Sequence, residues 1–251
     1  MSDFFSFIGN GNLLIDVMSD AGVSGGFQLK GNCTSLEIKT DAERKEQIGR
    51  GRENYGQVIA SVVIPKPTTI NVKLDQVDAE LLAMAFSGEN AALSQAGGGV
   101  TDQAVTAKKG RFVGLGKINI SDTGFVVTNE AASTTYVEGT DYEVNYRLGM
   151  LCALDGGAIT DGQALKVDYT YTATTGRRIR GGTRSSIRAA LKLDGINQVD
   201  GRTIFINVPL TRLSSSNGVD FLNGNWIEIP LTGIIEMKTG QTEAFTVDYL
   251  D

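Results

Sequence analysis

The chain of 251 residues contains no histidine. Histidine is the commonest general base and metal ligand, and it completes the Ser–His and Cys–His nucleophile pairs. Its absence removes most hydrolytic and metal-dependent sites and leaves only carboxylate or Ser–Lys chemistry. We therefore expect a protein that is not an enzyme, with no catalytic residues, no metal site and no cofactor.

Cysteine and proline are also scarce, with two cysteines and four prolines against 31 glycines. Cys33 and Cys152 form no CxxC or other metal-ligand spacing, which predicts two free thiols in a reducing compartment. Many glycines with few prolines are typical of short strands joined by tight turns.

Long apolar runs and an excess of positive charge are missing as well. No stretch approaches 18 apolar residues, and the N-terminus lacks the basic start and apolar run of a signal peptide, so we expect no membrane anchor. The net charge is -6, which argues against tight binding of nucleic acid.

Motif searches find neither GxxxxGK[ST] nor GxSxG. Asp141 and Asp168 could be paired catalytic carboxylates, but a turn and a solvated strand face are the favoured interpretations. Asp155 and Asp161 could bind calcium, but their spacing fits no EF-hand loop, and ordinary turns are favoured.

Alternating apolar and polar residues predict strands in the first region of the chain. Residues 33–39 and 68–74 follow this period-2 pattern, and residues 57–64 are dense in β-branched side chains. Each alternating strand has one polar face. The polar residues of these faces are Ser35, Glu37, Lys39, Thr69, Asn71 and Lys73.

Between these strands, residues 41–56 are charged, with Ile48 as the one aliphatic residue apart from Ala42. Such a segment is either a mobile loop or an arm that orders against a neighbouring subunit. The candidates for subunit contacts in this segment are Glu43, Arg44, Lys45, Glu46, Arg50, Arg52 and Glu53.

The pattern of residues 76–87 predicts a helix, with Asp75 as its N-cap and Gly88 as its stop. From Leu81 onward this helix is apolar almost all round, so either sheets of the same chain cover it or another subunit completes its burial. Leu81, Leu82 and Phe86 are therefore further interface candidates.

Composition divides the chain into a core domain, residues 1–111 and 176–251, and an inserted β module, residues 112–175. Residues 89–111 resemble a linker, and residues 226–231 read as a strand of the returning core. Basic residues at the two joints either pair with a neighbouring subunit, remain solvated or contact phosphate. These joint residues are Lys108, Lys109, Arg111, Arg177, Arg178 and Arg180.

Three stretches taken in order, residues 25–90, 135–173 and 187–213, resemble the tail tube proteins of long-tailed, non-contractile bacteriophages. The resemblance implies a mainly β fold: a tail-tube-type sandwich or barrel core with one flanking helix, plus an inserted small Ig-like β-sandwich. It also implies self-assembly into hexameric rings that stack into a tube, with the 41–56 segment contacting neighbours and the module on the tube exterior.

The same resemblance implies a location in the virion after synthesis in the cytoplasm of a bacterial host. The expected partners are further copies of the chain, the tail tip or initiator, the tape measure and the terminator, with double-stranded DNA passing transiently and non-specifically. The polar strand faces would include lumen-facing residues, namely Ser35, Glu37, Lys39, Thr69, Asn71 and Lys73.

Two alternatives remain. A tail terminator or a secretion-tube subunit would share the fold. A carbohydrate-binding or adhesive β-sandwich would present exposed aromatic rings on the module, whereas Tyr142, Tyr146, Tyr169 and Tyr171 alternate with polar residues, which favours a core.

Overall fold

A computed structural model describes residues 6–215, 217–222 and 224–250. The described part is mainly β with one α-helix, and this confirms the predicted fold class at that level. The chain divides into two compact units. The first unit comprises Met1–Ala91 and Ile179–Asp251, and the second unit comprises Ala92–Arg178.

Strands make up nearly all the regular elements of the described residues. In chain order they are β1 (Gly9–Val17), β2 (Gln28–Leu29), β3 (Cys33–Lys39), β4 (Ala42–Ile48), β5 (Val58–Pro65), β6 (Thr69–Leu74), α1 (Ala79–Ala85), β7 (Glu89–Gln95), β8 (Gly98–Thr106), β9 (Phe112–Gly114), β10 (Val126–Asn129), β11 (Tyr142–Asn145), β12 (Met150–Ala153), β13 (Ala164–Tyr171), β14 (Thr174–Arg180), β15 (Ile187–Asn197), β16 (Thr203–Ser215), β17 (Ile229–Ile235) and β18 (Thr246–Tyr249).

The first unit is built on an eight-stranded sheet in the order β2-β1-β15-β16-β17-β6-β3, with β18 pairing with β16. Neighbouring strands are antiparallel. The sheet curls, because β1 and β3 approach each other although four strands separate them in the sheet order. One face of the curled sheet therefore encloses the core and the other faces outward.

Strict alternation explains which side chains enter this core. Along β6, Ile70, Val72 and Leu74 are fully buried, whereas the residues between them are half-buried or exposed. Since successive side chains of a strand point to opposite faces, the pattern gives one apolar and one polar face. Leu13 of β1 and Leu191 of β15 join the same core.

The helix is shorter than predicted and begins later. Its N-cap is Asp78, whose Oδ1 accepts a hydrogen bond of 2.7 Å from the backbone N–H of Leu81. Asp75, the predicted N-cap, instead accepts a hydrogen bond of 2.9 Å from Asn32 Nδ2. The helix packs against β16 and β17 of its own unit, which buries Met84.

A left-handed residue ends the helix. Ser87 has φ +48°, its N–H donates to Met84 O, and the N–H of Gly88 donates to Ala83 O. These two bonds form a Schellman motif, which usually places glycine at the left-handed position. Here the glycine lies one residue later. A Cβ on Gly88 would lie 2.1 Å from the carbonyl oxygen of Arg180.

We predict opposite effects for two neighbouring substitutions. Ser87→Gly should stabilise the chain by about 0.5–1 kcal/mol, because glycine adopts the left-handed conformation without the Cβ clash. Gly88→Ala should cost more than about 2 kcal/mol, because the backbone of residue 180 would have to move. Urea unfolding measures both, and equal midpoints for the two variants would contradict this account.

A buried cation connects β2 to the start of the helix. Lys30 is 1% exposed, and its Nζ lies 3.1 Å from Asp78 Oδ2, in direct contact with Glu80 Oε2, and 3.2 Å from Gln28 Oε1. Burial by itself lowers the pKa of Lys30, but the bonds to Glu80 and Asp78 outweigh it and raise the pKa above 10.5. The short strand β2 is thus held by an ion pair and not only by backbone pairing.

Lys30→Met should lower the free energy of unfolding by about 2 kcal/mol at neutral pH. Breaking a buried pair costs about 3–5 kcal/mol, and we reduce that figure because the side chain of Asp78 is half exposed. Lys66→Met, at an exposed position, is the matched control and should change stability by less than about 0.5 kcal/mol.

Acid titration supplies a second readout for the same variant. Burial raises the pKa of Asp78, but the bonds from Leu81 N–H and Lys30 outweigh it, so the pKa lies below 3.8. This stabilisation is complete above pH 3.8 and is lost as the pH falls through the lowered pKa. Lys30→Met should therefore lose less stability than the wild type on acidification below that pH.

The second unit is built on two three-stranded sheets, β10-β13-β8 and β11-β12-β9, and β7 pairs with β14 where the chain enters and leaves it. The two sheets enclose a separate core that includes Val127, Leu151, Ile159, Leu165 and Val167. Aromatic rings complete this core. Tyr142 and Tyr169 are buried in it, and Tyr146 and Tyr171 pack against it.

The predicted linker at residues 89–111 is wrong, because this segment contains β7 and β8. Strand β8 pairs with β13 over most of its length, so it belongs to the second unit. The second unit accordingly begins at Ala92, whereas the sequence placed the module at residues 112–175. Glycines and alanines suggested a flexible segment, but backbone pairing with β13 makes it a strand.

Candidate functional site

Residues 41–56, expected to be a mobile loop or an arm, contain a regular β-strand. Strand β4 pairs with β5 in a two-stranded hairpin, which we call the arm. The turn at its tip is closed by hydrogen bonds from Gly49 N to Gln57 O, 2.7 Å, and from Gly56 N to Gly49 O, 3.0 Å. Sequence reasoning missed β4 because its residues are nearly all polar and give no apolar face.

The arm continues the edge of the large sheet. Strand β3 pairs with β6. Strands β4 and β5, which lie between them in the chain, pair with each other. Pro65, paired with Ala42, is the last residue of β5, and at the joint between β5 and β6 the backbone N–H of Lys66 donates to Asp41 O at 2.9 Å. Seven residues of β4 at about 3.3 Å each give the arm a length of about 23 Å.

Nothing else in the described chain covers the arm. Every residue of β4 and β5 is exposed. Val62 faces Lys45 on one side of the arm, and Val63 faces Arg44 on the other. The two valines are 55% and 56% exposed. Each face therefore carries an exposed row of β-branched side chains beside a row of charges. The exposed apolar residues of β5 are Val58, Ile59, Val62, Val63 and Ile64.

The structure places the charged interface candidates on this arm. Glu43, Arg44, Lys45 and Glu46 lie on β4, where Arg44 Nη1 is 3.7 Å from Glu46 Oε1. The other three, Arg50, Arg52 and Glu53, lie in the turn at the tip. The apolar row of β5 was not predicted as a contact surface, although its run of β-branched residues was the available signal.

The six candidates for the lumen meet on the outward face of the large sheet. Across β3 and β6, Ser35 faces Lys73, Glu37 faces Asn71, and Lys39 faces Thr69. Asn71 Nδ2 donates to Glu37 Oε2 at 3.3 Å, and Thr232 Oγ1 donates to Asn71 Oδ1 at 2.7 Å. These contacts order a polar surface that extends from the root of the arm onto β17. Its orientation toward a lumen stays a prediction.

Sheet strands of the same chain cover the helix, which was one of the two alternatives left open by the sequence. Leu81 is 1% exposed within the core of the first unit, because β16 and β17 bury the helix. Its prediction as a subunit-interface residue is therefore wrong. Leu82 is half-buried against the same core. Phe86 stacks on Phe221 with ring centroids 5.9 Å apart.

The two sets of basic residues predicted at the joints lie in different surroundings. Lys108, Lys109 and Arg111 lie in the second unit between β8 and β9, where the backbone N–H of Lys109 donates to Asp161 Oδ1 at 3.0 Å. Their predicted place at a joint between the core and the module is wrong, because β8 pairs with β13 and the second unit begins at Ala92. Exposed side chains on β14 make up the second set, Arg177, Arg178 and Arg180.

The carboxylates considered for catalysis hold backbone in place. Asp141 accepts hydrogen bonds from Ala158 N at 2.8 Å and Val137 N at 2.9 Å, and these bonds lower its pKa. Asp168 accepts a bond of 2.6 Å from Asp102 N. Among the residues described, no three His, Cys, Asp or Glu side chains form a group that could hold a metal ion.

An open apolar pocket of about 240 Å³ lies in the first unit between β1, β3, β15 and β16. Leu36, Leu193 and Ile206 are among its lining residues. Cys33 is its one titratable lining group, and burial raises the pKa of that thiol. A thiol with a raised pKa is a poor nucleophile. The pocket therefore lacks the convergent polar groups of a catalytic site.

The loop before β17 carries exposed apolar residues, and one of them, Trp226, lies in the predicted strand at residues 226–231. Trp226 is 88% exposed and Leu222 is 96% exposed. Strand β17 begins only at Ile229, so the predicted strand at residues 226–231 starts too early. A single tryptophan beside Ile227 and Ile229 resembled the start of a half-buried strand, but no partner strand pairs with that part of the described loop.

Because nothing in the described chain covers the arm, its apolar row should contribute nothing to folding. We predict that Val62→Thr/Val63→Thr has the same free energy of unfolding in urea as the wild type, within about 0.5 kcal/mol. The matched control Val72→Thr places a hydroxyl in the core and should cost about 1–3 kcal/mol. A comparable loss in the arm variant would mean that the valines are buried in the folded chain.

No helix in the described residues is long and apolar enough to cross a membrane. None of the curated proteins compared with the chain matches it significantly. One family model matches residues 6–247, which is nearly the whole chain, and it is described as Protein of unknown function UCP028589. The chain therefore belongs to the family UCP028589, whose function is unknown.

Proposed function

We propose that the protein is a structural subunit of a phage tail tube, which self-assembles into stacked, hexameric rings and forms the conduit for genome delivery. In this proposal the protein has no catalytic activity and resides in the virion. The sequence resemblance provides the class of assembly, and the arm provides the physical reason for self-association.

The observation that carries the proposal is an arm with apolar rows on both faces and no cover from the described residues of the chain. An isolated two-stranded hairpin is marginally stable in water. Fully burying one Val or Ile side chain is worth about 1.5–3 kcal/mol. Burial against another chain would therefore give a large favourable free energy, because no described part of this chain covers the exposed residues Val58, Ile59, Val62, Val63 and Ile64.

Both faces of the arm need cover, which favours contact with more than one neighbour. Head-to-tail contacts close into rings where the rotation permits and otherwise extend as filaments. A ring also pairs or covers sheet edges, which removes the hazard of exposed edge strands such as β3. Stacked rings satisfy both requirements with a single kind of subunit.

The polar sheet face suits a conduit. Ser35, Glu37, Lys39, Thr69, Asn71 and Lys73 mix both charge signs with neutral polar groups, so the surface would not hold phosphate strongly. We place this face toward the lumen. The second unit, which we interpret as the Ig-like sandwich, would lie on the tube exterior.

A carbohydrate-binding or adhesive sandwich is the second candidate function. It requires aromatic rings exposed on the second unit, whereas Tyr142 and Tyr169 are buried and Tyr146 donates its hydroxyl proton to Glu138 at 2.7 Å. A tail terminator or a secretion-tube subunit would use the same arm. The length of the assembly that forms distinguishes these two alternatives from a tail tube subunit.

Electron microscopy of the purified protein over a range of concentrations tests the proposal. Wild-type protein should form rings or hollow tubes, nucleated where necessary by added tail tip. Val62→Thr/Val63→Thr should raise the concentration needed for assembly by about 30-fold, since the two replacements together remove about 2 kcal/mol of apolar burial. Phe112→Thr, an exposed apolar position of the second unit, is the control.

A wild-type protein that stays monomeric with and without tail tip would contradict the proposal. Tubes whose formation is insensitive to the two arm substitutions would contradict the role of the arm while leaving self-assembly in place.

A further inference from the structure

Three exposed residues of the first unit lie in one row across β15, β16 and β18. Asp194 faces Phe205, and Phe205 faces Asp248. Directly opposed residues share a face of the sheet. Since neighbouring strands are 4.7–4.9 Å apart, the two aspartates are separated by about 10 Å, with the 39% exposed ring of Phe205 between them.

The next row on the same face is apolar. Ile196 faces Thr203, and Leu250 N donates to Thr203 O at 2.9 Å. Ile196 is 38% exposed and Leu250 is 46% exposed. We call this surface the acidic patch. It consists of Asp194, Ile196, Phe205, Asp248 and Leu250.

The carboxylates of the acidic patch have no cation partner among the described residues. Within the described residues, neither Asp194 nor Asp248 forms an ion pair or a side-chain hydrogen bond. Lys192 lies two residues before Asp194, but its Nζ lies 4.9 Å from the ring centroid of Phe27. The acidic patch therefore suits a partner that presents two positive charges around an apolar or aromatic group.

The tip of the arm has that chemistry. Arg50 and Arg52 are exposed, and neither forms an ion pair among the residues described. Their Cα atoms are at most about 7 Å apart, and their long side chains cover the remaining distance to carboxylates about 10 Å apart. Tyr55 in the same turn is 79% exposed. Arginine and tyrosine are also the residue types that most often anchor protein interfaces.

We propose that the tip of the arm docks on the acidic patch of a second copy of the chain, with Arg50 and Arg52 paired to Asp194 and Asp248. The inference rests on the proposed function and names the receiving surface for the arm. Tip and acidic patch are both exposed within one chain, so the contact is between copies. Since the two surfaces differ, it is head-to-tail and repeats without limit or closes into a ring.

Charge reversal on each side, followed by both together, tests the pairing. Arg50→Glu/Arg52→Glu and, separately, Asp194→Lys/Asp248→Lys should each raise the assembly concentration about tenfold or more, because like charges then face each other. The four substitutions combined should restore assembly toward the wild-type concentration. Glu130→Lys/Glu143→Lys changes the net charge equally on the second unit and should leave assembly unchanged.

The outcomes separate this inference from the proposed function. Tubes that form normally with either reversal, or a combined variant no better than its parents, overturn the docking while self-assembly stands. A wild-type chain that never assembles overturns both. Circular dichroism and thermal melts should match the wild type in all variants, since every changed side chain is exposed.

Disulfide trapping gives a measurement that does not depend on assembly strength. An Arg52→Cys chain mixed with an Asp248→Cys chain and oxidised with diamide should yield a disulfide-linked pair, and either chain alone should yield little. Burial raises the pKa of Cys33 and Cys152, so the native thiols react slowly. Equal cross-linking with Glu130→Cys in place of Asp248→Cys would overturn the docking.

Discussion

Pairing between β3 and β6 is the constraint on which the rest of the first unit depends. These strands form the edge of the large sheet, and the same two chain segments continue as the arm. Residues 33–39 fix which side chains face outward, so their register also fixes where the arm begins and which of its faces carries each apolar row. A one-residue slip would move Leu36 and Ile38 to the outward face and expose the core.

The two units use buried apolar side chains in different ways. In the first unit, one short helix covers the core of a curled sheet. A buried lysine and two carboxylates hold the N-terminal end of that helix. The second unit packs two small sheets around tyrosines. Neither core draws on the arm, so the arm is free to have a composition that folding alone would not favour.

Much of the fold follows from residue patterns. Alternation identified β3 and β6, and the register between them places the six polar residues on one face, as their period-2 spacing implies. The helix was predicted, but its predicted N-cap, Asp75, is wrong, because sequence does not show that Asn32 donates to Asp75 and that Asp78 caps the helix instead. The strand β4 could not be predicted, since its conformation comes from backbone pairing with β5 and its side chains carry no periodic signal.

The contact surfaces were less accessible to sequence reasoning than the strands. Leu81 looked like an interface residue because its helix is apolar on several sides, yet β16 and β17 supply the cover from positions more than a hundred residues away. The acidic patch brings together residues of three strands, and its row depends on two registers that no local pattern encodes.

The chain leaves the first unit along β7 and returns along β14, and these two strands pair with each other. The second unit begins at Ala92 in β7 and ends at Arg178 in β14. In the chain topology, the second unit is therefore an insertion between two strands that pair with each other. Such a site accepts replacement of its contents, because any folded domain whose termini are close together would fit the same pair of strands. The first unit is thus a scaffold on which other domains could be displayed in place of the second.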